Sequence, residues 1–499
     1  MSKLFEELQP FLDKNMAIET ALTLLSWDNE TLAPEESIEF TAKAIGVLAD
    51  EAFRSFVNPE VREILTKLDE HKEELEDTEK AILKNLLKSY EQMEKIPPEE
   101  NKEFSELTAV AGNIWAKAKN NNNFAEYAPT LEKIIYFQKK FAEYRRKDGE
   151  KLYDILLDDY EEGFNTEKLD AFFNKIKEEI VPLIKEVAAR QDQIDKAYNY
   201  LSYDIKKQEE FNRYLAEYIG FDFKKGVIAA SEHPFTTNLH NHDVRITTHY
   251  YENNLESSIF SIIHEGGHAI YEMQVADELT QTPVGQGASM GMHESQSRFF
   301  ENVIGRSEEF WTPIYPKLQE MFKEQLEDVS LQQFVAGINK SVPSLIRTES
   351  DELTYTLHII IRYEIEKMFL EGNLDVMKLP EIWNQKYEEY LGVTPSSDKE
   401  GILQDVHWSM GSIGYFPSYA LGNAIAAQIY YHIKTIMPFD QYLKEGNLAP
   451  IREYLKEHIH RFGATKNTNE FLIDMMGEEL NADYYVRYLK EKYTKLYNL

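Results

Sequence analysis

Cysteine is absent from the 499 residues. That omission removes disulfides, thiolate metal ligands and cysteine nucleophiles together, so any metal must sit on His, Asp or Glu. Glycine and proline are scarce, at 22 and 17, and so few breakers favour helix. No run of eighteen uncharged apolar residues occurs, so nothing reads as a membrane span. The acidic, amphipathic start MSKLFEELQPFLDKN also lacks the charged-then-apolar order of a signal peptide. Positive charge is the minority sign: 54 Lys and Arg against 87 Asp and Glu give a net charge of -33, which repels nucleic acid and anionic membranes and argues against both as partners. The expectation is a soluble cytoplasmic protein.

What is present is helix-forming. The first 225 residues carry apolar positions three or four apart among charges, as in FTAKAIGVLADEAFRSF (Phe40–Phe56) and LDAFFNKIKEEIVPLIKEVAAR (Leu169–Arg190), the pattern of amphipathic helices. The texture changes at Gly226. Residues 226–254 are rich in Thr, Val, Ile and Tyr with turn formers such as Asn238 and Asn241, and give the one strong strand signal. Helical spacing resumes at Leu255 and runs to the C-terminus. The chain is therefore expected to be one mainly α catalytic domain, residues 1–499, with a helical part over 1–225, a strand-rich segment over 226–254 and a second helical part over 255–499.

Nine of the 13 histidines lie between His233 and His407. Two of them stand in SIIHEGGHAIYEMQ (Ser261–Gln274), where Asn253 and Asn254 are candidate N-caps and Leu255, Ile259, Ile262, Ile263, Ala269, Ile270 and Met273 form a surface for burial. His264 and His268, four apart, share one face of a helix and can grip one ion. Glu265 is turned by about 100°, placed to reach a metal-associated water without being a ligand. Gly266 and Gly267 each cost about 1 kcal/mol in a helix interior, so their value lies in the close approach of another segment or of substrate. A catalytic zinc takes three protein ligands and leaves one position open. No third histidine follows at the metzincin spacing. The glutamates of GASMGMHESQSRFFENVIG are the alternative, Glu294 at the start of a helical run and Glu301 two turns on; Glu294 is chosen, with His293 and Ser295 beside it in an apolar setting.

With these residues in place the chain resembles the metallocarboxypeptidases of the carboxypeptidase Taq type, zinc peptidases whose third ligand is a glutamate. The likeness runs through LSWDNETLAP (Leu25–Pro34), HPF (His233–Phe235), DVRIT (Asp243–Thr247), HEGGH, HESQ (His293–Gln296), IRTESD (Ile346–Asp351), GILQDVHW (Gly401–Trp408) and GYFPSYALGN (Gly414–Asn423). It implies a large helical protein with a deep substrate cleft lined by a small sheet near the HExxH helix. It further implies removal of single C-terminal residues with broad specificity and proline disfavoured, one zinc per chain for which cobalt can substitute, and a homodimer acting on peptides.

The residue chemistry is compatible. Zinc on His264, His268 and Glu294 acidifies water, and Glu265 serves as general base and then acid. His407, Tyr415 and Tyr419 are candidates for oxyanion or substrate contacts, although such tyrosines are commonly core residues. A free terminal carboxylate suits a planar guanidinium, which nominates Arg347 and Arg245, each with a plain alternative as half of an internal ion pair: Arg347 with Glu349 and Asp351, Arg245 with Asp243. Family likeness favours Arg347. His233 and His240 either line the cleft or orient a ligand imidazole. Two other readings share the motif: an oligopeptidase or endopeptidase with the same centre, and a helical peptide-binding scaffold without catalysis.

Overall fold

The computed structural model describes residues 3–372 and 374–499. Up to Ile219 the apolar spacing is realised as a succession of helices, beginning with Lys3–Thr31. Thr166–Ala188 shows the local logic. The side chain of Asn165 accepts the Lys168 N–H at its start, and Leu169, Phe172, Phe173, Ile176, Ile180, Leu183, Ile184 and Val187 bury one face.

The change at Gly226 is the start of a three-stranded sheet: β1 (Gly226–Ala230), β2 (Thr236–His240) and β3 (Asp243–Thr248), in the order β1-β3-β2. Central β3 pairs parallel with β1 and antiparallel with β2, with Thr236 opposite Ile246 and Thr237 opposite Arg245. Side chains alternate between the faces of a sheet. Thr236 and Ile246 therefore share the face that packs on the following helix, while Thr237 and Arg245 share the other. On that second face the first helix lies across the sheet, with Trp27 edge-on to Phe235 at 5.5 Å and the Arg245 guanidinium 5.7 Å from the Trp27 ring.

The motif helix spans Leu255–Met273 and is almost wholly buried. Asn254 holds the N-cap position but caps nothing. It accepts a bond from Asn199 Nδ2 at 2.9 Å, and Asn199 Oδ1 accepts the Glu256 N–H at 2.8 Å, so the expected local cap comes from a residue distant in sequence. A shorter helix, Met290–Arg298, starts on the Ser289 side chain and continues into a π-helical turn, Phe299–Ile304. A third, Pro417–Ile436, packs along it. The main hydrophobic core surrounds these three, and a smaller cluster joins Phe5, Leu8, Val61 and Leu86 to Val275, Leu279 and Val284 just beyond the motif helix. The described residues are mainly helical, with one small sheet among them beside the motif helix. Among the described residues no helix is long and apolar enough to cross a membrane.

Candidate metal centre

Glycine brings the three helices together. A Cβ on Gly267 would lie 2.8 Å from the Ser297 Cα and 2.9 Å from the Gln296 carbonyl oxygen, so only a glycine lets the Glu294 helix sit this close to the histidines. A Cβ on Gly422 would lie 2.5 Å from Glu294 Cγ. Gly266 instead faces the flexible end of Ile219. The costly glycine pair thus serves the approach of neighbouring helices.

The approach delivers Glu294 to the histidine pair. Its Oε2 is 3.7 Å from His264 Nε2 and 3.5 Å from His268 Nε2, and the three ligand atoms all lie within 4.8 Å of one another. Ligands at about 2.0–2.2 Å around a tetrahedral ion stand about 3.4 Å apart, so this donor set of two imidazoles and a carboxylate fits a divalent metal.

Each imidazole is held from behind. His264 Nδ1 meets Glu301 Oε2 at 2.9 Å. His268 Nδ1 meets His293 Nδ1 at 2.5 Å, and His293 Nε2 meets Glu272 Oε1 at 2.6 Å. Glu272 also accepts the Gly287 N–H at 2.9 Å and Asn238 Nδ2 at 2.5 Å, which ties this relay to β2. Such partners set the tautomer that leaves Nε2 free to ligate. Burial, helped by the neighbouring His293, lowers His268 to about 3, so its ring is neutral. At His264 burial acts downward, but Glu294 and Glu301 outweigh it and the pKa is raised. Both glutamates are held well below the carboxylate range, against burial, by Arg298 and His264. The centre is built to surround positive charge.

Glu265 lies beside the ligands on the same helix. Thr236 Oγ1 of β2 donates to its Oε2 at 2.6 Å, and burial raises its pKa. His407 Nε2 is 3.3 Å from Tyr419 OH, and Tyr415 packs on both rings. Burial lowers His407 to about 4, and burial raises Tyr415, with the Glu294 charge acting in the same direction.

Arg347 is buried, at 6% exposure, and its partner is neither Glu349 nor Asp351. It donates to Asp405 Oδ1 at 3.0 and 2.8 Å, and Nη1 donates to Tyr355 OH at 3.2 Å. Arg362 holds the other oxygen of Asp405, with Nε at 2.7 Å. Two guanidiniums share one carboxylate, which leaves a surplus of one positive charge. Arg245 forms the expected internal pair with Asp243, at 2.9 and 2.8 Å, on the sheet face turned away from the motif helix. His233 is exposed in the β1–β2 connection, and His240 takes the His242 N–H at 3.0 Å at the far end of β2. The partners behind the ligand imidazoles are Glu301 and His293 instead.

Sequence reasoning missed Arg298, Glu301 in its role behind His264, Glu272 and Thr236. A signal existed for the first two, which lie four and seven residues after Glu294 on one helical face. None existed for Glu272 or Thr236, whose contacts depend on how β2 crosses the helix.

The chain matches the family model of carboxypeptidase Taq (M32) metallopeptidases over residues 7–493. Carboxypeptidase 1 of Bacillus subtilis is 44% identical over 481 residues, 96% of each chain, and thermostable carboxypeptidase 1 of Thermus thermophilus is 33% identical over 505 residues, 99% of each. Among solved structures, the Pyrococcus furiosus carboxypeptidase superposes with a TM-score of 0.94 at 36% identity, covering 99% of each chain. The Deinococcus radiodurans M32 carboxypeptidase does so with a TM-score of 0.96 at 30% identity over 100% of each. A helical fold, three side chains placed so that they could hold a metal and likeness over the whole length agree, and the chain belongs to the carboxypeptidase Taq family as a metal-dependent carboxypeptidase.

Proposed function

We propose that this site releases single residues from the C-termini of peptides with zinc as its metal, held by Nε2 of His264, Nε2 of His268 and Oε2 of Glu294. When bound there, zinc supplies a Lewis acid that polarises the scissile carbonyl and lowers the pKa of water to about 7. Glu265 accepts the proton of the attacking water. Its Oε2 is engaged by Thr236, so Oε1 is the oxygen left to act, and burial makes the carboxylate more basic than an exposed one. The same oxygen then returns the proton to the leaving amine. In this reading Tyr415, Tyr419 and neutral His407, which pack on one another, offer hydrogen-bond donors to the developing oxyanion.

The observation that supports exopeptidase action is the surplus positive charge of the Arg347, Asp405 and Arg362 cluster. Arg347 reaches Tyr355, whose ring lies 4.6 Å from the guanidinium of Arg298, and Arg298 in turn bonds Glu294 at 2.7 Å. A cation linked to the ligands through Tyr355 and Arg298, and already oriented by Asp405, suits the terminal carboxylate of a peptide whose last bond lies at the metal. Arg245, engaged elsewhere, does not share that task. A peptide and its C-terminally amidated twin test the reading: the free acid is shortened residue by residue and the amide is spared. Equal cleavage of both would point to an oligopeptidase.

The same reading includes broad specificity with terminal proline disfavoured, replacement of zinc by cobalt, and a cytoplasmic homodimer that takes peptides. All but the location rest on family likeness. The net charge of -33 supports the exclusion of nucleic acid and anionic membranes.

A further inference from the structure

The two oxygens of Glu294 have different neighbours. Oε2 is the one both ligand imidazoles face, at 3.7 and 3.5 Å, with Ser297 Oγ 3.3 Å away. Oε1 accepts from Arg298 Nε at 2.7 Å. The other end of that guanidinium is also fixed: Nη1 donates at 3.0 Å to Glu301 Oε2, the oxygen that meets His264 Nδ1. The Tyr355 ring covers it at 4.6 Å, and the side chain is mostly buried. A planar fork held at both ends has no room to swing aside. For Glu294 to turn both oxygens towards the histidines, a buried charge-assisted hydrogen bond would have to break with nothing to replace it.

We propose that Arg298 is a positioning residue that fixes Glu294 as a one-oxygen metal ligand. Carboxylates bind cations through one oxygen or two, and the choice sets how many positions remain. A catalytic site with three protein ligands keeps a place for water and substrate. A second oxygen from Glu294 would take it. By holding Oε1, Arg298 keeps that place open, and through Glu301 it sets the orientation of His264 at the same time. Lysine could not do both, because a single ammonium lacks the fork that spans the two carboxylates. The inference rests on the three-ligand reading above and makes a narrower claim.

A crystal structure of the zinc-loaded wild-type protein tests it. The expected result is one Glu294 oxygen within about 2.0–2.2 Å of the ion and the other on Arg298. Both oxygens at ligand distance would overturn the role of Arg298 and leave the triad intact, whereas an ion bound elsewhere would overturn the triad itself. Arg298→Met in the cobalt-loaded protein gives a second readout. The visible d–d bands should weaken as Glu294 becomes a two-oxygen ligand and the coordination number rises. Wild-type band intensities in folded Arg298→Met would overturn the proposal; if the variant does not fold, the wild-type crystal structure decides.

Discussion

Gly422 lies against Glu294 with no space for a methyl group: a Cβ there would meet Glu294 Cγ at 2.5 Å and Cβ at 2.7 Å. The atoms in the way are the root of the ligand side chain, which cannot yield without moving the carboxylate. Gly422→Ala should therefore destabilise the protein by about 1–3 kcal/mol through overpacking and weaken metal binding. Denaturant unfolding of the metal-free protein and chelator competition would measure the two effects. Wild-type values in both would mean that the helices are not held at this contact.

Glu265→Gln should leave metal content unchanged while kcat falls by about 10²–10⁴-fold, the usual contribution of a general base. His264→Ala should lose the metal itself. Metal analysis beside turnover separates the roles, and a Gln variant with near wild-type turnover would remove Glu265 from the proton transfer.

Arg347→Ala should lower kcat/KM on free-acid peptides by about 10- to 100-fold, the range for losing a hydrogen-bonded charge. Asp405 keeps Arg362 as a partner, so the variant should stay folded. The preference for the free acid over the amide should narrow. An unchanged preference would give Arg347 a structural role only.

Glu161 is buried, and its carboxylate accepts the backbone N–H of Gly291 at the start of the Glu294 helix. Burial pushes it up to about 7. The folded chain then holds a proton that the unfolded chain releases near pH 4.5. This contribution to stability is complete below about pH 4.5 and is lost as pH rises through 7, with a size of about 2–4 kcal/mol. Glu161→Gln, which cannot ionise, should gain stability over wild type between pH 5 and 8. A difference that does not vary with pH would contradict the shift.

Much of this was legible in the sequence because it depends on local spacing. The helical period, the break at Gly226 and the i, i+4 histidines are short-range patterns, and the helix dictates that His264 and His268 share a face. The position of Glu294 beside the histidines was readable because it stands on the next polar helix. Arg347 illustrates where reading stops. Neighbours in sequence suggested Glu349 or Asp351, yet the partner is Asp405, 58 residues on, brought back by a chain that runs through the helices Glu352–Glu371 and Leu379–Leu391. Arg245 is similar: its face follows from the register of β2 on β3, and a shift of one residue would have turned it towards the metal helix.

Stepwise addition of zinc to metal-free protein, with release of the C-terminal residue followed at each step, tests the central claim most directly. Activity should be absent without metal, rise in proportion to the zinc added and level off at one equivalent per chain. Turnover in the metal-free protein, or a rise that continues to two equivalents, would contradict a single ion held by His264, His268 and Glu294.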